Sequence, residues 1–408
     1  MPLKERLRAK SPRSSLSPFF QMLIVIHVGY HIASCMKGNF TNTLLFRETE
    51  SQNTIMLYNI FLFFAECVGM TVAAPLARRR GCVFCMRLGL AVHMCMQAAF
   101  FILLERITAV MPLMALLNGL SVGYYWMAYY TDVSEFSQDE NRDRAIGVMG
   151  VYTSAVTLIM PAVCGAVISA MPGYAGYRLM FAVCAAVSFA ALLFSSRLAG
   201  HPIPAQPESR RLEALRLAAR ERVWRFEFTG EFLRGIRDGT MAFFLNILLF
   251  AIIRSESLVG FNTLLTGVAA IAGHAAARRV RPQGRTRCMC AAVTVLLVCA
   301  LALFWRLTPG VLIFVSAANA FFAVFLLNPS LGIFFMLLEK TPDGERLRPE
   351  FIMLRSYSLC GGRIIGALIT LLFPVSAAGS VAAICVLTLS QYLTVLVYRR
   401  TTALCAQE

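Results

Sequence analysis

Twelve long apolar segments constrain this chain more than any other feature of its sequence. Each is roughly 18–25 residues long or slightly longer, the length that an α-helix needs to cross the hydrocarbon core of a bilayer. Transmembrane β-strands would instead be about 10 residues long, with alternating polarity. The composition agrees, because only 15% of the residues are charged, against about a quarter in soluble proteins. The chain is therefore predicted to be an all-α membrane protein.

The basic residues indicate how the chain is oriented. Of the 38 Lys and Arg residues, five lie within spans, and nearly all of the others are predicted to lie on the side of the N-terminus; the exceptions are Arg47, Arg106, Arg178, Arg254 and Arg306. Basic residues concentrate in cytoplasmic loops, so both termini are predicted to be cytoplasmic. Attraction to an anionic inner leaflet explains the net charge of +16 without a nucleic-acid partner. The predicted spans are 18–40, 53–77, 82–104, 109–131, 145–170, 177–196, 228–253, 257–277, 288–306, 309–338, 350–373 and 376–398.

A polar segment at residues 197–227 divides the chain into two sets of six spans. It starts as HPIPAQPESR and continues as RRLEALRLAARERVWRF, which predicts a basic amphipathic cytoplasmic linker lying on the inner membrane surface. The linker separates one six-helix bundle at 18–196 from a second at 228–398. Short cytoplasmic tails are predicted at 1–17 and 399–408.

The two bundles repeat each other at an offset close to 204 residues. The sequence Leu44-Leu45-Phe46 recurs as Leu248-Leu249-Phe250, and the matched single residues are Asn42 and Asn246, Gly69 and Gly273, Glu135 and Glu339, and Arg142 and Arg346. Each bundle has an even number of spans. The repeat is therefore parallel, with its axis normal to the membrane.

This arrangement resembles the Major Facilitator Superfamily, and the resemblance covers nearly the whole chain. The loop from Glu135 to Arg144 looks like that of poorly characterised bacterial members, which implies a location in a bacterial inner (plasma) membrane. The superfamily's loop after span two is usually G-x-x-x-D-R-x-G-R-K; Arg79 and Gly81 fit it, whereas Arg78 replaces the acid that helps to latch the cytoplasmic gate. The usual latch is therefore in question. Pro161 and Gly165 form part of the span-five motif of the antiporter branch. The gating-loop residues assigned on this basis and on the repeat are Arg78, Arg79, Gly81, Glu135, Arg142, Glu339 and Arg346.

The seventh span carries charged residues that a lipid-facing helix would not tolerate. At 100° per residue, Glu227, Glu231, Arg234 and Asp238 share a stripe about 60° wide, and Arg237 lies outside it. A charge near the bilayer centre costs at least ~2.5 kcal/mol unless it faces protein or water. The stripe is therefore predicted to face a cavity or another helix. The alternative is that Glu227 and Glu231 lie at the cytoplasmic boundary and reach water.

Other ionisable residues within the spans are candidates for proton coupling. His27 and His31 are i,i+4 neighbours on the first span, and histidine titrates near neutral pH; the alternative is that they are polar packing residues. The resemblance implies that spans two and eleven meet between the halves, which predicts a Glu66–Arg363 ion pair, either static or broken as the halves move. The predicted coupling residues are Glu66, Asp238, His27, His31 and Glu231.

The predicted substrate-binding residues are aromatic, amide and arginine side chains. Tyr125 and Tyr129 share one face of span four with Trp126 beside them, which suits a flat, apolar or cationic substrate; the alternative is an interfacial aromatic belt. The resemblance implies that spans one, four, seven and ten line the central cavity. The full predicted set is Arg234, Arg363, Arg355, Asn118, Tyr125, Trp126, Tyr129, Asn319 and Asn246.

Together these features favour a secondary active transporter of a small, amphipathic molecule, coupled to protons and working by alternating access, with export preferred. The sequence has no P-loop and no hydrolase motif, so neither ATP-driven transport nor an enzyme is expected. No cofactor or metal is expected, because the 13 cysteines suit small apolar helix residues. A monomer is expected. The alternatives are an ion-independent facilitator, a translocator of lipid headgroups or organic anions that uses the intramembrane arginines, and a transporter-derived sensor or scaffold.

Overall fold

The computed structural model describes residues 18–136, 142–198, 210–277, 280, 284–341, 344 and 346–405, apart from the side chains at positions 39, 133–136, 142–147, 150 and 405. Nearly all of these residues are helical, and no strand occurs within these ranges. The first half contains α1 (Pro18–Thr49), α2 (Gln52–Arg80), α3 (Cys82–Leu103), α4 (Ile107–Phe136), α5 (Arg142–Ala170) and α6 (Ala175–Ser195). The linker forms α7 (Arg211–Arg220). The second half contains α8 (Arg222–Ile253), α9 (Glu256–Ala277), α10 (Arg285–Trp305), α11 (Pro309–Lys340), α12 (Arg348–Leu371), α13 (Ala377–Leu389) and α14 (Gln391–Cys405).

The helices provide the twelve crossings that the sequence predicts. Eleven segments are apolar and long enough to cross a membrane, and one of them, Cys82–Asp132, is 51 residues long. That segment folds back on itself at the short 3₁₀ turn Leu104–Arg106. The Ser121 hydroxyl on α4 donates to the Gly89 carbonyl oxygen on α3, 3.1 Å away, so the two helices are antiparallel neighbours. The segment therefore crosses twice, and the chain is a multi-pass membrane protein.

Some helix bounds differ from the predicted spans. α8 begins at Arg222, before the predicted start at residue 228, because Glu221 is extended and Val223 and Trp224 are already buried. The predicted boundary between linker and second bundle thus lies inside a continuous helix. The twelfth span consists of two helices, α13 and α14, that meet at Ser390.

The internal repeat is visible in the contacts as well as in the sequence. Phe46 and Phe250 are equivalent residues, and their rings contact each other edge to face with centroids 6.3 Å apart. A contact between equivalent residues lies on the pseudo-twofold axis. The Asn59 amide donates to Asn42 at 3.0 Å, and the matching pair Asn246 and Thr263 is 3.5 Å apart in the other half.

The two halves contact each other mainly along two helix pairs, α2 with α12 and α5 with α9, which together we call the half–half interface. The backbones of α5 and α9 approach closely, because a Cβ atom added to Gly165 would lie 2.5 Å from the Glu256 carbonyl oxygen. One added to Gly260 would lie 2.6 Å from the Pro161 carbonyl oxygen. Only glycine fits at either position without moving a helix.

The linker helix α7 contacts both halves at one end of the bundle, which we call the linker end. Ala214 and Ala218 are buried against the protein, and the Arg211 guanidinium donates to the Thr71 carbonyl oxygen on α2. Glu213 pairs with Arg346, just before α12, at 2.5 Å. The linker is therefore a structural bridge between the halves at this end.

Candidate transport site

A cavity of about 320 Å³ lies between the two halves. This volume is at the lower end of the range for small-molecule sites, roughly 300–1,000 Å³. Helices α1, α2, α5, α8, α9 and α12 line it, so the implied assignment of spans one and seven agrees, whereas spans four and ten (α4 and α11) contribute no lining residue. The lining residues are Cys35, Gly38, Asn42, Asn59, Leu62, Phe63, Thr157, Pro161, Asp238, Gly239, Ala242, Phe243, Thr263 and Arg363.

Arg363 connects the cavity to the half–half interface. Its Nη1 atom is 3.5 Å from Glu66 Oε2 on α2, so the partners proposed from the sequence are in contact. The guanidinium also lies over the Phe63 ring, 5.2 Å from its centroid, a favourable cation–π geometry. Whether this pair breaks during transport stays a prediction.

Neutralising both partners of this pair is expected to cost less stability than the two single losses added together. Glu66→Gln or Arg363→Gln alone leaves a mostly buried charge without its partner, whereas the double variant leaves none. The thermal stabilities of the purified variants should give a coupling energy of roughly 0.5–3 kcal/mol.

The control is the Arg178–Glu105 pair, which is 2.6 Å long but well exposed. The stability losses caused by Glu105→Gln and Arg178→Gln should be nearly additive, since exposed ion pairs contribute little to stability. Strictly additive losses at Glu66 and Arg363 would count against an energetic link between them.

The charged stripe of α8 forms a continuous network inside the second half. Arg234 donates to Glu231 at 2.8 Å and also bonds Asp238. Arg355 of α12 lies 3.3 Å from Glu231 Oε2, the same carboxylate oxygen that Arg234 contacts. The hydroxyls of Ser330 and Tyr398 donate to Glu231 Oε1. Of this network, only Asp238 lines the cavity, so Arg234 and Arg355 hold Glu231 instead of facing the substrate space as predicted.

Glu227 also departs from expectation. It is completely buried, and neither carboxylate oxygen has a hydrogen-bond partner among the described residues. The alternative that Glu227 and Glu231 lie at the boundary and reach water is therefore wrong, because Trp224, Phe228 and Phe351 pack together at this end of α8.

Arg237 lies outside the stripe, as the helical geometry predicts, and is held by neutral groups. Its guanidinium donates to Asn319 Oδ1 at 2.5 Å and to the Thr388 hydroxyl at 3.2 Å. Asn319 was predicted to bind substrate. In the structure it instead holds a buried arginine away from the cavity.

The predicted aromatic wall packs inside the first half and does not line the cavity. His27 Nδ1 lies 2.9 Å from the Tyr125 hydroxyl, its ring stacks on Tyr129 with centroids 4.0 Å apart, and Trp126 meets it edge-on. His31 Nε2 lies 2.9 Å from the Thr157 hydroxyl, which does line the cavity. Of these residues, His31 is therefore the one that is one hydrogen bond away from the substrate space.

Lys37 is an intramembrane charge to which the sequence argument gave no role. It is buried and donates to Asn118 Oδ1, and the Asn118 amide donates to the Tyr58 hydroxyl at 3.0 Å. Asn118 therefore holds Lys37 and does not line the cavity. A lysine within an otherwise apolar span was the available signal.

The strongest contact at the linker end involves the residue that departs from the superfamily motif. Arg78 on α2 donates to both carboxylate oxygens of Glu350 on α12, at 2.8 and 2.6 Å, and to the Arg346 carbonyl oxygen at 2.7 Å. Both side chains of the pair are buried. A buried ion pair thus joins the two halves across the half–half interface, with the base on α2 and the acid on α12. Glu350 was missed because it lies at the edge of its span.

The other predicted gating residues have separate positions. Arg79 is exposed, and Gly81 ends α2 with a φ of 87°, a conformation that favours glycine. Glu339 is exposed at the end of α11. The side chains of Glu135 and Arg142 lie outside the described residues.

Ion pairs also join the halves at the end opposite to the linker. Arg47 lies 3.5 Å from Glu256, whose carboxylate also accepts from the Tyr177 hydroxyl at 3.2 Å. Arg254 lies 3.1 Å from Glu50. These contacts were not predicted, because they connect residues at or near helix ends that are far apart in sequence.

A fold of two six-helix halves around a cavity lined by both of them is that of a membrane transporter and not of an enzyme. The sequence model of the Major Facilitator Superfamily matches residues 23–384. The chain belongs to this superfamily.

Two bacterial proteins are similar to this chain in sequence. "Uncharacterized protein YqgE" of Bacillus subtilis is 23% identical over 358 residues, covering 86% of this chain and 82% of that protein. "Uncharacterized protein in sodM 3'region" of Geobacillus stearothermophilus is 29% identical over 165 residues, covering 39% of this chain and 76% of that protein.

Solved transporter structures share the fold. The nucleoside transporter NupG superposes with a TM-score of 0.71 at 13% identity, covering 94% of this chain and 99% of that one. The D-xylose-proton symporter gives a TM-score of 0.68 at 12% identity, covering 91% and 96%. A structure of proton dependent oligopeptide transporters gives 0.69 at 11% identity, covering 96% and 99%.

Proposed function

We propose that this chain is a proton-coupled secondary transporter that exports a small amphipathic molecule by rocking its two halves about the central cavity. It acts as a monomer in a bacterial inner membrane, with both termini in the cytoplasm. The main support is the cavity itself, in which the Asp238 carboxylate and the Arg363–Glu66 pair meet at the interface of the halves. Intramembrane carboxylates at such a site are typical of proton-coupled carriers.

Alternating access needs contacts that break at each end in turn. At the linker end the halves are joined by Arg78–Glu350, and at the opposite end by Arg47–Glu256. The preference for export rests on the partial antiporter motif at Pro161 and Gly165, which lies where α5 packs directly on α9.

The test is the thermal stability of the purified protein with a panel of small ligands, at about pH 5.5 and about pH 8, on either side of neutrality. A substrate should stabilise the wild type by an amount that depends on pH. Saturating ligand raises stability by roughly 2.7 kcal/mol at a hundred times its Kd. Asp238→Asn or Glu66→Gln should remove the pH dependence.

Glu105→Gln is the matched control, because it neutralises an exposed carboxylate paired with Arg178, outside the cavity. A ligand identified in this way is then placed on one side of liposomes containing the protein and a pH-sensitive dye. If its gradient moves no protons in the wild type, the coupling part of the proposal fails.

One observation favours a second candidate, a proton-independent facilitator of organic anions. Arg363 lines the cavity with a quarter of its side chain exposed, and arginine suits carboxylate or phosphate groups. Anions should then stabilise the protein equally at both pH values, and Arg363→Ala should abolish the effect. Arg234 and Arg355 give this reading no support, since both are engaged with Glu231.

A further inference from the structure

Two charged side chains of opposite sign face the central cavity, and each is only half engaged by the protein. Arg234 bonds one oxygen of Asp238, and Glu66 lies near one terminal nitrogen of Arg363. The side chains of Asp238 and Arg363 are 33% and 25% exposed, whereas that of Arg234 is 3% exposed. Asp238 and Arg363 therefore retain bonding capacity toward a ligand.

The charges of the side chains that line the cavity cancel, because Asp238 and Arg363 are the charged residues among them. The carboxylates of Asp238 and Glu66 are balanced by the guanidinium groups of Arg234 and Arg363. A ligand with a net charge would introduce a charge without a counterion into a low-dielectric site, which is costly. The electrostatics therefore favour a ligand with no net charge.

The two charged groups are also close neighbours. The Arg363 side chain lies over Gly239, the residue after Asp238: a Cβ atom on Gly239 would be 2.5 Å from the Arg363 Cγ atom. A ligand that forms an ion pair with each group must itself carry a positive and a negative group close together. A neutral hydroxylated molecule would hydrogen-bond to these groups but would form no ion pair with either.

The rest of the wall has an apolar part and a weakly polar part. Phe63 and Phe243 supply ring surface, and Thr157 and Thr263 supply hydroxyl groups. With a volume of about 320 Å³, the cavity suits an apolar body of modest size attached to the charged groups.

We propose that the central cavity binds a small zwitterion of the amino-acid type, with its ammonium on Asp238, its carboxylate on Arg363 and an apolar side chain against Phe63 and Phe243. This inference rests on the proposed function and names the substrate class of the same site. The substrate is then not any small amphipathic molecule but one that carries two adjacent charges of opposite sign.

The probes are matched sets that share one apolar body and differ in charge. Phenylalanine, phenethylamine and 3-phenylpropionate form one set; leucine, isoamylamine and 4-methylvalerate form another. Binding to the purified full-length protein is measured by calorimetry and by thermal shift. At least one amino acid should bind roughly tenfold to a hundredfold more tightly than its amine and its acid, as expected for the loss of one charge-assisted hydrogen bond.

Single substitutions should then change which charge the cavity accepts. Asp238→Asn leaves a net positive cavity, so the acid of the best set should bind better than the amino acid. Arg363→Gln leaves a net negative cavity, so the amine should bind best. Such an inversion cannot come from misfolding, which would abolish all binding. Glu105→Gln on the surface should keep the wild-type order.

The outcomes separate this inference from the proposed function. If the amine or the acid binds the wild type as tightly as the amino acid, or if no amino acid binds, the zwitterion inference is overturned. If an amino acid binds with the predicted variant pattern but its gradient moves no protons in liposomes, the inference stands and the proton-coupled function fails.

Discussion

Arg78→Ala is expected to destabilise the protein by roughly 3–5 kcal/mol, the usual cost of removing one partner of a buried ion pair. The substitution leaves the Glu350 carboxylate, which is completely buried, without the two hydrogen bonds that Arg78 donates at 2.8 and 2.6 Å. It also removes the donor to the Arg346 carbonyl oxygen. The measurement is thermal or denaturant-induced unfolding of the purified protein.

The partner residue and a neighbour provide the controls. Glu350→Ala should destabilise the protein by a similar amount. The double variant Arg78→Ala/Glu350→Ala should lose less stability than the two single variants added together, because no buried charge is then left without a partner. Arg79→Ala removes the same charge from the next position, where the side chain is exposed, and should change stability by less than about 0.5 kcal/mol. Equal effects at Arg78 and Arg79 would contradict a latch.

Glu231→Gln is expected to destabilise the protein about as much as Arg78→Ala, by roughly 3–5 kcal/mol. Its carboxylate accepts from Arg234 at 2.8 Å and lies 3.3 Å from Arg355, and the neutral amide would leave both guanidinium groups undercompensated in a buried site. Ser330 and Tyr398 would lose an ionised acceptor as well. The measurement is again equilibrium stability.

Glu227→Gln is a matched control for this prediction, since it makes the same change one helical turn away on the same helix. Glu227 is as buried as Glu231, but its carboxylate oxygens have no hydrogen-bond partner in the described part of the chain. Replacing it with a neutral amide should therefore be nearly neutral or stabilising. If both substitutions cost the same, partner loss is not the cause.

Local features of the sequence were enough to predict the fold. Apolar runs of membrane-spanning length predicted the helices, and the offset near 204 residues predicted the internal repeat. The equivalent residues Phe46 and Phe250 contact each other at the pseudo-twofold axis of this repeat. Helix ends were less accurate, because α8 continues through Arg222 and Trp224 without a residue that would stop it.

The site was predictable only in part. A helical wheel places Tyr125 and Tyr129 on one face but does not say which neighbour that face meets; it meets His27, not the cavity. Glu350 was missed because its partner Arg78 is far away in sequence, and their contact depends on how the halves dock. Glu66 and Arg363 were paired correctly because the resemblance implied which spans meet.

The ion pairs that join the halves are screened unequally at the two ends of the bundle. Arg254 and Glu50 are largely exposed, whereas Arg78 and Glu350 are buried. Raising ionic strength from physiological to about 1 M shortens the Debye length from roughly 8 to 3 Å. This change weakens the exposed Arg254–Glu50 pair far more than the buried Arg78–Glu350 pair. Each 1.4 kcal/mol of difference shifts the balance of conformers about tenfold. Salt alone should therefore favour conformers that open at the end opposite to the linker.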